Sequence, residues 1–320
     1  MSQPARYSRD VDDPVKNPAT NRLPEEVDEE ALLAAFTASG YPLQTYVANA
    51  LPDGFDVTEE WTYVDSDTEV QRSLDLYATK RLYDSLKVEG RELLPVVDLF
   101  IECKRSDLPY AFFVTERPPE LERFPLIAGS RGSQDTYVQI KQDVVAPFPL
   151  TRVLGANRLP FAQPTMTSLS FSRIHRKGKE LELSGSDPFN SIFLPITKAM
   201  RYHHTVSSPR YSSDYDYFRM VFGLCVIDAP MVAVEVSADG VSMTFAPWVR
   251  LVRHEPRRRA DEQDALLLRR WAVDAVHKDF LVSYLTDHLL PFADELAGRV
   301  AKDEHRIRER QSFDMNDVQG

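Results

Sequence analysis

Residues Val96 to Ser106, VVDLFIECKRS, constrain the fold most tightly. Val97, Leu99, Ile101 and Cys103 fill one parity of a β-alternation, and Asp98, Phe100, Glu102 and Lys104 fill the other. The apolar, aromatic run YAFFVTE that follows argues for a central strand rather than a peripheral one. Two acids and a lysine on one face of an otherwise hydrophobic strand need a reason.

The flanking sequence supplies elements of both kinds. DEEALLAAFTASG reads as a helix with Asp28 as N-cap and Gly40 at its stop. YPLQTYVANAL reads as a second helix, with Leu43, Tyr46, Val47, Ala50 and Leu51 at helical spacing. FDVTEEWTYVD and QRSLDLYAT read as strands with a polar turn between them, and YAFFVTE reads as a hairpin partner of the Val96 strand. The segment from about residue 117 to 161 is proline-rich and gives no clear pattern. Beyond it TMTSLSFSRIH reads as a strand, and DPFNSIFLPITKAMRYHH as a helix capped by Asp187 that Pro195 kinks or delays. DYFRMVFGLCVIDAP reads as the most hydrophobic strand of the second half, and MVAVEVSADGVSMTF as a hairpin turning at Asp239-Gly240. A short strand at Trp271 leads into an amphipathic helix. Helices, then strands, then a mixture of both define an α/β or α+β pattern. No linker divides it, so the reading is a flexible arm over 1–27, one domain over 28–302 and a charged tail over 303–320.

Composition narrows the function classes. A formal net charge of -11 argues against coating nucleic acid by bulk electrostatics, although it leaves room for a local basic groove. Cys103 and Cys225 both lie inside apolar runs and read as buried thiols of a reducing compartment. No apolar run reaches the length of a membrane helix and the first residues lack a secretory core, so a cytoplasmic location without membrane association is expected. No nucleophile elbow, phosphate loop or dinucleotide fingerprint is present.

The charged face has a chemical reading. Asp75 lies between Leu74 and Leu76 in a strand upstream, and pairing that strand with the Val96 strand brings Asp75 and Glu102 together. Two adjacent ionised carboxylates repel, and a divalent cation relieves that cost; their hard oxygens suit Mg²⁺ or Mn²⁺. Lys104, on the same face as Glu102, can orient or help deprotonate a water or neutralise charge on a phosphate. The backbone carbonyl of Cys103, between them, offers a further metal ligand.

A helix with GYPLQTYVANAL, a strand with SLDLYA and a strand with LFIECKRS resemble the PD-(D/E)XK nucleases. The resemblance spans about residues 28 to 115. It implies a restriction-endonuclease-like α/β core: a mixed central β-sheet flanked by helices, here with an extended C-terminal elaboration. It further implies a Mg²⁺-dependent endonuclease acting on phosphodiester bonds, with DNA as the substrate and RNA as the alternative. By match, Asp75 and Glu102 are metal ligands and Lys104 the catalytic lysine. Gln44 stands where many members carry a glutamate; it can accept a hydrogen bond from a metal-bound water but adds no charge. The other reading of Glu102 and Lys104 is a solvated surface pair, worth about 0–1 kcal/mol. Asp98 is read as a salt-bridge or strand-start residue, with the metal as its alternative.

For phosphate contacts the basic residues are Arg173, Lys177 and Lys179 in one run and Arg257 and Arg258 in another that opens at Arg250, with Lys198 as an auxiliary. Solvated loops and a surface helical lysine are the opposing readings. His203-His204 reads as a helix-end pair, and Trp61, Trp248 and Trp271 as core or sheet-face aromatics. A homodimer or a multi-protein assembly is the expected context of a nuclease. The runner-up function is a nuclease-fold protein that binds nucleic acid or serves as a structural component of a defence or repair assembly. An unrelated α/β protein is the third.

Overall fold

The computed structural model describes residues 17–82, 93–129, 134–207, 216–255 and 269–319. Their contacts form two compact units, Met1–Pro42 and Leu43–Gly320. In the first unit, helix α1 (Glu29–Ala38) is capped by Asp28, whose carboxylate accepts the Ala31 amide at 2.9 Å; none of the helix's residues is buried.

Helix α2 (Tyr41–Ala50) carries Leu43, Gln44 and Val47 as its buried positions. A large sheet of mixed orientation follows. Its strands in chain order are β1 (Asp56–Val64), β2 (Gln71–Arg81), β3 (Leu93–Arg105), β4 (Tyr110–Val114), β5 (Leu126–Ala128), β8 (Thr167–Lys177), β9 (Glu180–Leu183), β10 (Asp216–Asp228), β11 (Met231–Ser237), β12 (Gly240–Phe245), β13 (Trp248–Glu255) and β14 (Arg269–His277), arranged β1-β2-β3-β10-β14-β13-β8-β4-β11-β12 with β5 beside β10 and β9 beside β8. The proline-rich middle also yields β6 (Asp135–Lys141), β7 (Val144–Pro149) and the short helix α3 (Leu150–Val153). β3 is buried from Leu93 to Cys103, as a strand needs to be when both its faces are covered.

Strand β4 is not the hairpin partner of β3. β3 pairs antiparallel with β2 and parallel with β10, while β4 pairs with β8 and β11. Local apolar alternation marks β4 as a strand but cannot choose among distant neighbours. The β11–β12 hairpin forms, but Ser237 pairs with Gly240, so Ala238 and Asp239 make its turn, one residue before the expected pair.

Helices cover both faces. On one, Leu76, Ala78, Leu99, Ile101 and Leu224 pack with Leu43 and Val47 of α2 and with the C-terminal helices α5 (Leu281–Ser283) and α6 (Leu290–Lys302). On the other, Phe100, Val221, Cys225 and Val273 pack with Ile192, Ile196 and Met200, the last two from α4 (Leu194–Val206). Gly223 makes that approach possible: a Cβ there would sit 2.6 Å from Ile196 Cγ2 and 2.9 Å from Met200 Sδ. Pro195 and Pro291 lack an amide hydrogen, and in each case the turn before the α-helix widens into a π-helix, Phe189–Phe193 and Tyr284–Leu289.

The charged C-terminal segment is folded. It forms α7 (Glu304–Arg308), β15 (Phe313–Asp314), which pairs with β6, and α8 (Met315–Gln319). Its sparse apolar residues Ile307, Phe313 and Val318 enter the core. No helix among the described residues is long and apolar enough to cross a membrane.

Candidate active site

Asp75 and Glu102 meet because β2 and β3 are antiparallel neighbours. The ladder runs to Leu76 opposite Ile101, and one further step in this register sets Asp75 opposite Glu102. The Cys103 amide donates to Asp75 Oδ2 at 2.7 Å, which fixes the aspartate against the rim of β3. Lys104 Nζ donates to Glu102 Oε2 at 2.6 Å, and the Glu102 side chain is nearly buried while the lysine keeps about a quarter of its surface. The solvated surface pair is therefore not what forms here.

Burial governs the electrostatics. It pushes Glu102 up to about 7; Lys104 counteracts the shift, while Asp75 and the more distant Glu60 add to it. Burial also raises Asp75, against the Cys103 amide and the Lys104 charge. Lys104 rises to about 12, since the attraction of Glu102 outweighs the lysine's own desolvation. At neutral pH Lys104 is an ammonium, suited to neutralising anionic charge and not to removing a proton from water.

Gln44 reaches this corner from α2. Its Nε2 donates to the Asp75 carbonyl at 3.1 Å and lies 3.5 Å from Glu59 Oε2. The glutamine ties the helix to the main chain that carries the aspartate. Opposite Asp75, the β1–β2 ladder skips Glu60, which has a φ of 50° between the pairs Glu59–Leu76 and Trp61–Leu74. Neither Glu59 nor Glu60 stood out in the sequence, because each sits in a strand of mixed polarity and only the cross-strand register sets it beside the acids.

The remaining expectations sort by partner. Asp98 is fully buried and makes a salt bridge: it accepts from Tyr77 Oη, His203 Nε2 and both ways from Arg219 Nη1, each at 2.9 Å. Burial raises its carboxyl, but the His203 hydrogen bond and the charges of His203 and Arg219 outweigh that and hold it below the ordinary aspartate range. His203 is thus a core residue held by an acid. Lys198 bonds Asp65 Oδ2 at 2.6 Å and lies 3.6 Å from Asp67, so its ammonium is engaged away from the Asp75–Glu102 pair. Arg173, Lys177 and Lys179 are exposed on or beside β8 and β9, and Lys177 pairs with Glu182 at 3.2 Å. Arg257 and Arg258 lie outside the described residues.

Arg250, which opens the second basic run, neither contacts phosphate nor sits in a solvated loop. It is wholly buried, forks onto both oxygens of Asp274 at 2.8 Å, and stacks 3.9 Å from the Phe124 ring centroid. β13 is an interior strand, so its alternate residues point into packed layers whatever their charge. Trp248 and Trp271 are core aromatics, as expected, and Trp61 packs against the same layer as Trp271.

Among the described residues, no group of three or more His, Cys, Asp and Glu side chains is arranged to hold a metal ion. The donor set at Asp75 and Glu102 is nonetheless all oxygen, and burial raises both carboxyls, with each further raised by a neighbouring acid; the chemistry of these donors fits a hard divalent cation. No protein-family model, curated protein or solved structure matches the chain.

Proposed function

We propose that the protein is a metal-dependent nuclease of the PD-(D/E)XK type, built on a restriction-endonuclease-like core and hydrolysing phosphodiester bonds in DNA. The observation that carries this reading is the Glu102 carboxyl, raised to about 7 beside Asp75 and an ammonium on adjoining strands. Asp75 and Glu102, with the Cys103 carbonyl, would hold Mg²⁺ or Mn²⁺, and the bound ion would supply Lewis acidity and a water of lowered pKa. Lys104 keeps its proton and neutralises charge that develops on the phosphate. Gln44 positions Asp75 through the main chain. The order of helix α2, the Asp75 strand and the Glu102-x-Lys104 strand supports the assignment.

Mn²⁺ titration calorimetry paired with a supercoiled-plasmid nicking assay tests it. Wild type binds and nicks, Glu102→Ala loses both, and Lys104→Ala binds but nicks at least about a hundredfold more slowly. Affinity falls as the pH drops below about 7, because protons then compete with the ion for Glu102. Absence of binding and nicking in wild type would sink the reading. One observation favours the runner-up, a non-cutting nucleic-acid-binding component: Gln44 supplies an amide to this corner in place of a carboxylate. Intact metal binding without nicking on DNA or RNA is its signature.

A further inference from the structure

A second cationic feature lies elsewhere on the α4 face of the sheet. Arg253 of β13 and Trp271 of β14 are directly opposed across an antiparallel ladder. Trp271 is 6% exposed and packs with the residues beneath α4, which places Arg253 on the same face. Directly opposed residues have Cβ atoms about 5 Å apart.

Both residues hold buried donors that nothing satisfies. Arg253 Nε and Trp271 Nε1 have no hydrogen-bond partner, and no carboxylate lies within ion-pair distance of Arg253 among the described residues. An orphaned buried donor is costly, and more so on a cation without a counter-charge. Burial alone lowers the Arg253 pKa, with no acid to offset it. Arg250, three residues earlier on the same strand, shows what a structural arginine has here: a forked aspartate and a carbonyl.

The local geometry is organised for an anion. The Arg253 guanidinium carbon lies 4.9 Å from the Phe189 ring centroid, a cation–π contact that holds the side chain beside the sheet but supplies no counter-charge. The side chain remains partly exposed, so an anion can reach it. Arg201 stacks nearby, its guanidinium 6.0 Å from the Trp271 ring centroid, but it already pairs with Asp67 at 3.7 Å. An arginine fork takes two oxygens and the indole N–H a third, a donor set that matches a tetrahedral phosphate better than a carboxylate.

We infer that Arg253 and Trp271 form a phosphate-binding site. It is separate from the Asp75–Glu102 corner. The registers of β3, β10 and β14 set Trp271 about two strand spacings (~10 Å) and four residues (~13 Å) away from Glu102. The site does not depend on the nuclease reading. The phosphate belongs either to a small phosphorylated molecule or to a nucleic-acid backbone.

Calorimetric titration of the full chain with pyrophosphate, a nucleoside 5′-monophosphate and a single-stranded oligonucleotide without terminal phosphates tests it. Wild type binds pyrophosphate; Arg253→Met weakens binding roughly tenfold or more, and Trp271→Phe roughly threefold to tenfold. Loss of monophosphate binding in the variants assigns the site to small molecules, and loss of oligonucleotide binding assigns it to nucleic acid. Lys104→Ala keeps the pyrophosphate affinity, which separates this site from the other corner. The inference is overturned if wild type binds no probe, if Arg253→Met binds as wild type does, or if Lys104→Ala alone abolishes binding. Should Arg253→Met fail to fold, folded Trp271→Phe decides: weaker binding sustains the site and unchanged binding ends it.

Discussion

Asp98 and Glu102 stand on one strand, on one face, and meet opposite electrostatic fates. Asp98 collects a tyrosine, a histidine and an arginine, and its carboxyl lies below the ordinary range. Glu102 has one lysine and a neighbouring acid, and its carboxyl rises to about 7. Both are buried, so burial does not separate them. The balance of charge and donors around each does. A buried acid whose field is matched within the chain belongs to the fold, as Asp98 and the Arg250–Asp274 pair do. A buried acid left short of positive charge is poised to take a cation from outside.

The largest expected effect breaks the matched side. Asp98→Ala leaves Arg219, His203 and Tyr77 without their acceptor and costs about 3–5 kcal/mol, read as a lower urea midpoint at neutral pH. Because the Asp98 carboxyl is held below its unfolded value, its contribution is present above that unfolded value and is lost only as pH falls through the lowered one. A change under 1 kcal/mol would mean that the network is not matched as drawn.

The unmatched side carries the opposite sign. The folded carboxyl of Glu102, near 7, lies above the unfolded value of 4.5. Below that unfolded value the acid is protonated in both states and costs nothing; the cost grows up to about pH 7 and is complete above it. Glu102→Gln therefore stabilises the metal-free protein at pH 8 by about 1–3 kcal/mol, after the loss of the Lys104 partnership is counted, and changes little at pH 4. Urea denaturation at the two pH values checks this, and a pH-independent difference would refute it. Smallest is the exposed Lys177–Glu182 pair, where Lys177→Ala shifts stability by less than about 0.5 kcal/mol.

Local patterns carried much of this. The alternation around Glu102 and the flanking leucines of Asp75 were enough to name the two acids and the lysine, because strand parity is a property of consecutive residues. Asp98 was legible as a charged residue on that face. Its partners were not: His203 comes from α4, 105 positions away, and Arg219 from β10, 121 positions away. Arg250 misled for the same reason, since a basic run reads alike whether its members face solvent or an aspartate in a distant strand.

By itself the sequence determined most of the helices and strands outside the proline-rich middle and the charged C-terminal segment, which residues fall on each strand face, and which side chains can bear charge. All of these follow from interactions within a few residues of one another. The tertiary structure alone decided that β3 lies between β2 and β10 instead of beside β4, that Gln44 braces the Asp75 main chain, and which buried charges are matched. Those outcomes depend on register and layer packing between segments far apart in the chain, where each local pattern is compatible with several neighbours.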